Sequence, residues 1–195
     1  MMKSLNNLLG VQCTKCHVAG AWEKEEPEAK RTARRMFKMV ADISGKAFDG
    51  GNEVTCWTCH RGSPKPSSGE TEISARLPRL PKERQRLIDA INTGPDENAR
   101  ADQAFQNTRV LDDMPAGRMA PTMAGFTVAL NVDCSHCHLA DQYDDDDKPM
   151  KQKTREMIGM VKDINHQFFE NQAKVGCWTC HQGAVKPETA PSSAS

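Results

Sequence analysis

Cys56-Trp57-Thr58-Cys59-His60 occurs in four versions along the chain, the others being Cys13–His17, Cys134–His138 and Cys177–His181. A Cys-x-x-Cys-His run has the spacing of c-type haem attachment. Two thiols add across the vinyl groups of one porphyrin, and the adjacent His turns beneath the iron as its proximal ligand. The four runs use all 8 cysteines. Two zinc sites of four thiolates would also use them all, but would give no reason for a His after every second Cys. A thioredoxin-like redox pair calls for one Cys-x-x-Cys beside a βαβ pattern, and none is visible. Structural disulfides leave the same four histidines unexplained. The pattern therefore predicts four c-type haems on Cys13 and Cys16, Cys56 and Cys59, Cys134 and Cys137, and Cys177 and Cys180. Their proximal ligands are His17, His60, His138 and His181.

The two halves repeat without a gap. Cys13 and Cys134 are 121 residues apart, as are Cys56 and Cys177, Met2 and Met123, Met36 and Met157, and Met39 and Met160. Such an offset marks duplication of a two-haem unit. The expected division is a first dihaem unit at 1–66, a linker at 67–109, a second unit at 110–187 and a disordered tail at 188–195. Each unit reads as a short helix into the first motif (Met2–Leu9; Met123–Leu130), then a longer helix bearing methionines. Those longer helices are predicted at about Pro27–Ile43 and Pro149–Phe169, with proline in the first turn. Within the linker, Pro81–Asn92 has an amphipathic pattern and Asp96–Val110 reads as a second helix. The expected fold is mainly α, with short helices and long loops packed around four covalent haems.

Composition supports that dependence on cofactor. Only 37% of the 195 residues are hydrophobic, 5% are aromatic, and mean hydropathy is −0.67. Such a chain buries too little apolar surface to fold by itself, whereas each macrocycle supplies a flat apolar face to pack against. The 26 basic and 26 acidic residues give a formal net charge of 0, so charge implies no nucleic-acid or membrane-surface partner. Covalent haem attachment is extracytoplasmic chemistry in bacteria, so a periplasmic location is expected. No signal peptide or spanning run is visible, and the expectation is that an N-terminal segment has been lost.

The irons also need distal ligands. Four of the 6 histidines are proximal, leaving His136 and His166, whereas there are 10 methionines. A methionine on a helix is ordinarily core filler. Here Met2 and Met123 each stand 11 residues before a first-motif Cys, and the pairs Met36/Met39 and Met157/Met160 precede the second motifs at matching distances. Met2 and Met123 are therefore assigned to the first haem of each unit, and one member of each pair to the second. His136 lies inside its own attachment loop and is a poor distal ligand. The acidic run Asp144–Asp147 reads as a solvated loop, and Trp57 and Trp178 as packing on porphyrin.

The motifs in their flanks, Leu9-Gly10-Val11-x-Cys13, Arg34-Arg35-Met36-Phe37, Val54-Thr55-Cys56-Trp57-Thr58-Cys59-His60-Arg61-Gly62 and Val110-Leu111-Asp112-Asp113-Met114-Pro115, carry a resemblance. The chain resembles the tetrahaem cytochrome c subunit of bacterial photosynthetic reaction centres and its non-photosynthetic relatives. The resemblance implies distal methionines on helices before their own motifs, which fits Met2 and Met123 and points to Met36 rather than Met39. In photosynthetic members the last haem takes a distal His from the first half. This first half holds only His17 and His60, so Met157 is expected instead, with Met160 or His166 as alternatives. Implied with it are single-electron transfer rather than catalysis, a small cytochrome or iron–sulfur donor, and a reaction-centre or respiratory acceptor. The rival readings are a redox enzyme with one five-coordinate haem and a building block of a haem wire.

Overall fold

The computed structural model describes residues 2–76 and 96–191. Among them the chain is mainly helical and has no strand, only isolated bridges such as Val18–Ala21 and Leu139–Gln142. The helices are α1 (Met2–Leu9), α2 (Glu28–Ala47), α3 (Cys56–His60), α4 (Glu70–Arg76), α5 (Ala101–Ala104), α6 (Met119–Leu130), α7 (Pro149–Phe169) and α8 (Cys177–His181). Single 3-10 turns carry Cys13–Lys15 and Cys134–His136.

Local sequence explains most boundaries. Pro27, fixed at φ −66, stands at the N-cap of α2, where its own missing amide costs no helical hydrogen bond. The helix passes the expected stop at Ile43 and reaches Ala47, because the first left-handed residues are Asp49 (φ 50) and Gly50 (φ 80). α6 begins at Met119, earlier than the expected Met123, since Pro121 falls in a first turn that tolerates it. Asp96–Val110 is a correction: only Ala101–Ala104 is α-helical. Asn107 (φ 58) and Arg109 (φ 44) break the path, and Arg109–Leu111 forms a separate turn. The amphipathic stretch Pro81–Asn92 lies outside the described residues.

The chain forms two compact units. Unit 1 comprises Met1–Ser68, Lys162–His181 and Lys186–Ser195; unit 2 comprises Gly69–Val161 and Gln182–Val185. Three motifs thus fall in unit 1, and Cys134–His138 falls in unit 2. In unit 1 the buried apolar residues are Met39, Ile43, Ile164, Phe168 and Trp178; in unit 2 they are mostly alanine (Ala101, Ala116, Ala120, Ala129) with Met119 and Val128. These are thin cores, as the composition implied. Arg35 of α2 donates to the Phe168 carbonyl (2.7 Å) and ties two segments of unit 1 together.

The duplication is visible bond by bond. In unit 1 α1 ends at Gly10 (φ 61), with the Val11 amide returning to the Asn6 carbonyl at 3.1 Å. In unit 2 α6 ends at Asn131 (φ 54), with Val132 returning to Thr127 at 3.1 Å. These are the same left-handed helix stop. Past each second motif the Gly62 amide reaches the Leu8 carbonyl (3.1 Å) in unit 1, and the Gly183 amide the Ala129 carbonyl (2.8 Å) in unit 2.

The described part of the C-terminal tail is held in place, where its composition had predicted disorder. Glu188 pairs with Arg61 and accepts from Trp57 Nε1 (3.4 Å), and the Thr189 carbonyl accepts from the Thr55 hydroxyl (2.6 Å).

Candidate functional site

Each motif is wound as a helical turn. The His17 amide reaches the Cys13 carbonyl and the His138 amide the Cys134 carbonyl, both at 3.0 Å. The second motifs form α3 and α8. A turn of this pitch puts the first Cys and the His on one side and the second Cys within reach of the same ring. The left-handed residue that follows, Arg61 or Gln182 (both φ 47), ends the helix before Gly62 or Gly183.

The histidines are oriented from behind. His17 Nδ1 lies 3.0 Å from the Trp22 carbonyl, His138 Nδ1 lies 3.0 Å from the Tyr143 carbonyl, and His60 Nδ1 lies 2.8 Å from the Ser63 carbonyl. A carbonyl only accepts, so the proton sits on Nδ1 and the Nε2 lone pair is left for a metal. The Trp22 and Tyr143 rings also lie against the imidazoles, at centroid distances of 5.7 and 5.5 Å. Burial, with help from the Lys151 and Arg155 charges, pushes the His138 pKa down and keeps its imidazole in the neutral, ligating form.

None of the eight cysteines is fully buried, and none is joined to another as a disulfide. Among the described residues no three His, Cys, Asp or Glu side chains converge on a point where a metal ion would sit. Paired thiols beside a neutral His with a committed Nδ1 are the donor set of a covalently held haem iron, and the residues fit that group. Within unit 1, Cys59 Sγ and Cys180 Sγ lie 3.4 Å apart. This sulfur–sulfur contact pushes Cys180 up and Cys59 down, while partial burial raises Cys56 and Cys177.

The distal candidates are spread over four helices. Met2 on α1 is 58% exposed; Met36 on α2, Met123 on α6, and Met157 and Met160 on α7 are half-buried; Met39 is 7% exposed and belongs to the unit 1 core. α1 also reaches its own motif, with Asn6 Nδ2 3.6 Å from Cys13 Sγ. His166 is exposed, with Nδ1 2.9 Å from Asn171 Oδ1. His136 sits in its attachment turn.

Two features escaped the motif reading. One is the charged framework behind the first motifs. Lys30 and Lys151 are buried, Glu25 pairs with Lys30 (3.0 Å) and Arg34, and Asp146 pairs with Lys151 (3.3 Å), Arg155 (2.7 Å) and Arg109 (3.0 Å). Asp146 is therefore no free solvated acid. Each residue of the Glu25–Lys30–Arg34 set recurs in kind 121 positions later, so the repeat itself was the signal. The other is the Arg61–Glu188 pair, whose repeat counterparts Gln182 and Ser67 carry no charge, so no periodicity announced it.

A family model described as "Photosynthetic reaction centre cytochrome C subunit" matches residues 1–79 and 69–194. The chain is 27% identical over 216 residues to a photosynthetic reaction center cytochrome c subunit of Thermochromatium tepidum, covering 90% of this chain and 52% of the relative. The counterpart of the same name from Rubrivivax gelatinosus is 25% identical over 214 residues, covering 90% and 58%. Cytochrome c-554 of Chloroflexus aurantiacus is 30% identical over 131 residues, covering 61% and 32%. The chain thus spans about half the length of the reaction-centre relatives it matches.

Proposed function

The chain belongs to the photosynthetic reaction centre cytochrome C subunit family, and from that premise we propose that it relays single electrons through four covalent c-type haems. The observation that carries the reading is the 3.4 Å approach of Cys59 Sγ to Cys180 Sγ. These sulfurs belong to different motifs, and each would be bonded to a different porphyrin. When bound, a c-type haem supplies an iron that takes up and releases one electron without rearranging its bonds.

The protein's own residues do the rest. Cys13, Cys16, Cys56, Cys59, Cys134, Cys137, Cys177 and Cys180 fix position and edge contact. His17, His60, His138 and His181 present the proximal nitrogen. Met2, Met36, Met123 and Met157 are the proposed distal set; thioether ligation raises reduction potential relative to a second imidazole. The half-exposure of Met36 beside the burial of Met39 supports the choice of Met36. A sulfur meant for iron stays accessible on a helix face, whereas Met39 is consumed by packing.

Irons held between these histidines and methionines would leave no position for substrate, which supports a carrier rather than an enzyme. Its donor would be a small cytochrome or iron–sulfur protein, its acceptor a reaction centre or respiratory complex, and its compartment the periplasm. Among the described residues no helix is long and apolar enough to cross a membrane, so contact with a membrane complex would run through a partner or other segments.

The test is haem stoichiometry with spectroscopy on the matured protein. Four haems per chain, low-spin in the oxidised state, are expected. A count of three or fewer, or a high-spin centre that binds carbon monoxide rapidly, overturns the relay reading.

A further inference from the structure

Behind the first motif of each repeat, one carbonyl oxygen serves two donors. The Trp22 carbonyl accepts from His17 Nδ1 at 3.0 Å and from Lys30 Nζ at 2.9 Å. In unit 2 the Tyr143 carbonyl accepts from His138 Nδ1 at 3.0 Å and from Lys151 Nζ at 2.9 Å. The lysines are 9% and 8% exposed. Lys30 also reaches the carbonyls of Glu23 (3.1 Å) and Lys24 (2.9 Å) and the Glu25 carboxylate (3.0 Å). Lys151 reaches the Asp145 carbonyl (2.7 Å) and the Asp146 carboxylate (3.3 Å). A buried ammonium requires such partners. Loop stapling alone would not require it to share the one carbonyl that holds the imidazole, in both repeats and at the same distances.

We infer that Lys30 and Lys151 are positioning and tuning residues for the irons at His17 and His138, acting through the shared carbonyl. The inference rests on the reading of Cys13–His17 and Cys134–His138 as haem sites. A carbonyl oxygen has two lone pairs. With one occupied by an ammonium it is a weaker acceptor for the Nδ1 proton. The imidazole then takes on less imidazolate character and donates less strongly to iron. A less basic proximal ligand favours the reduced metal, and a nearby cation acts in the same direction. Lysine thus raises the reduction potential at these two sites. His60 is held by the Ser63 carbonyl (2.8 Å) three residues on, outside this loop arrangement.

The experiment is a spectroscopic redox titration of the full-length, haem-loaded protein carrying Lys30→Met, Lys151→Met, Glu25→Gln or Asp146→Asn. Lys30→Met is expected to lower one reduction potential, and Lys151→Met a different one. Glu25→Gln, at a half-exposed carboxylate, leaves the Lys30 ammonium free to bear on the carbonyl and is expected to raise the potential that Lys30→Met lowers. Asp146→Asn is expected to do the same for Lys151. Opposite shifts of one component are a signature that loop stapling does not produce. With haem count and low-spin spectrum intact, unmoved potentials, or lysine and carboxylate variants shifting one component in the same direction, overturn the inference and leave the relay standing. Absence of reversible haem couples in the parent overturns both.

Discussion

Cys59 Sγ and Cys180 Sγ stand 3.4 Å apart in unit 1, brought together by the packing of α3 against α8. Two motifs separated by 121 residues thus converge at their second cysteines. A porphyrin bonded to each of these sulfurs would bring the two centres close enough to feel each other's charge and spin. Charge interaction grows steeply at short range in a low-dielectric interior. EPR of the fully oxidised protein is therefore expected to show mutual broadening in two of the four low-spin signals. Replacing Cys177 and Cys180 with alanine should sharpen the surviving partner. Four independent signals in the parent would contradict the arrangement.

Met36 and Met39 sit one turn apart on α2 but differ in environment. Met39→Ala is expected to cost about 2–5 kcal/mol, as for large-to-small changes in a core, with the haem spectrum unchanged. Met36→Ala should cost less in stability and should convert one haem to high spin. It should also remove a quarter of the weak thioether–iron absorption expected near ~700 nm. Melting curves paired with optical spectra separate the two, and an exchange of these phenotypes would reassign the ligand.

The acid limit of stability follows from the paired frameworks. Hydrogen bonds from Arg34 and then Lys30 hold Glu25 at about 2, against 4.5 for the ordinary group. Although desolvation pushes the other way, Arg155, Asn107 and Lys151 bring Asp146 from 3.8 to about 2. Both are depressed in the folded state, so the unfolded chain binds more protons between about pH 4.5 and 2. The stability they contribute is present above that window and is lost as pH falls through it. Melting temperature should drop across this range. The double variant Glu25→Gln/Asp146→Asn should show a shallower drop, and an unchanged slope would rule these two carboxylates out as its source.

Much of this architecture was legible because the duplication is gapless. α1 and α7 lie where periodicity and punctuation put them, and the Cys and His positions follow from spacing alone. The same 121-residue offset relates Lys30 to Lys151, which stand in register with the motifs and hold the equivalent carbonyls of Trp22 and Tyr143. What the linear pattern does not encode is partnership across the chain. Nothing local to Cys177–His181 announces that it packs beside Cys56–His60. Nothing in Glu188 or Thr189, set among small residues and proline, reveals that Arg61, Trp57 and Thr55 will hold them. Asp96–Val110 failed for a related reason: Asn107 and Arg109 take left-handed conformations stabilised by contacts that are distant in sequence. The Asn107 side chain reaches Asp144 and Asp146, and Arg109 pairs with Asp146.

Gly10 is the position where the two repeats should respond most differently. It ends α1 at φ 61, and its counterpart Asn131 ends α6 at φ 54, so the left-handed conformation is common to both. Asparagine tolerates that region, whereas alanine at such a site carries a strain of about 1–3 kcal/mol. The surroundings of Gly10 add a second obstacle. A Cβ there would lie 2.1 Å from the Gly62 carbonyl oxygen, a backbone atom just past the second motif. That carbonyl cannot move alone, because the Gly62 amide is bonded to Leu8 of α1 (3.1 Å) and α1 packs against α3. Gly10→Ala is therefore expected to push α1 away from α3 as well as straining the turn. The measurement is thermal unfolding followed at the haem band: Gly10→Ala should lower the midpoint by clearly more than Asn131→Ala does in unit 2. Equal shifts would mean that the close approach of Gly10 to Gly62 carries no weight in holding α1 on α3.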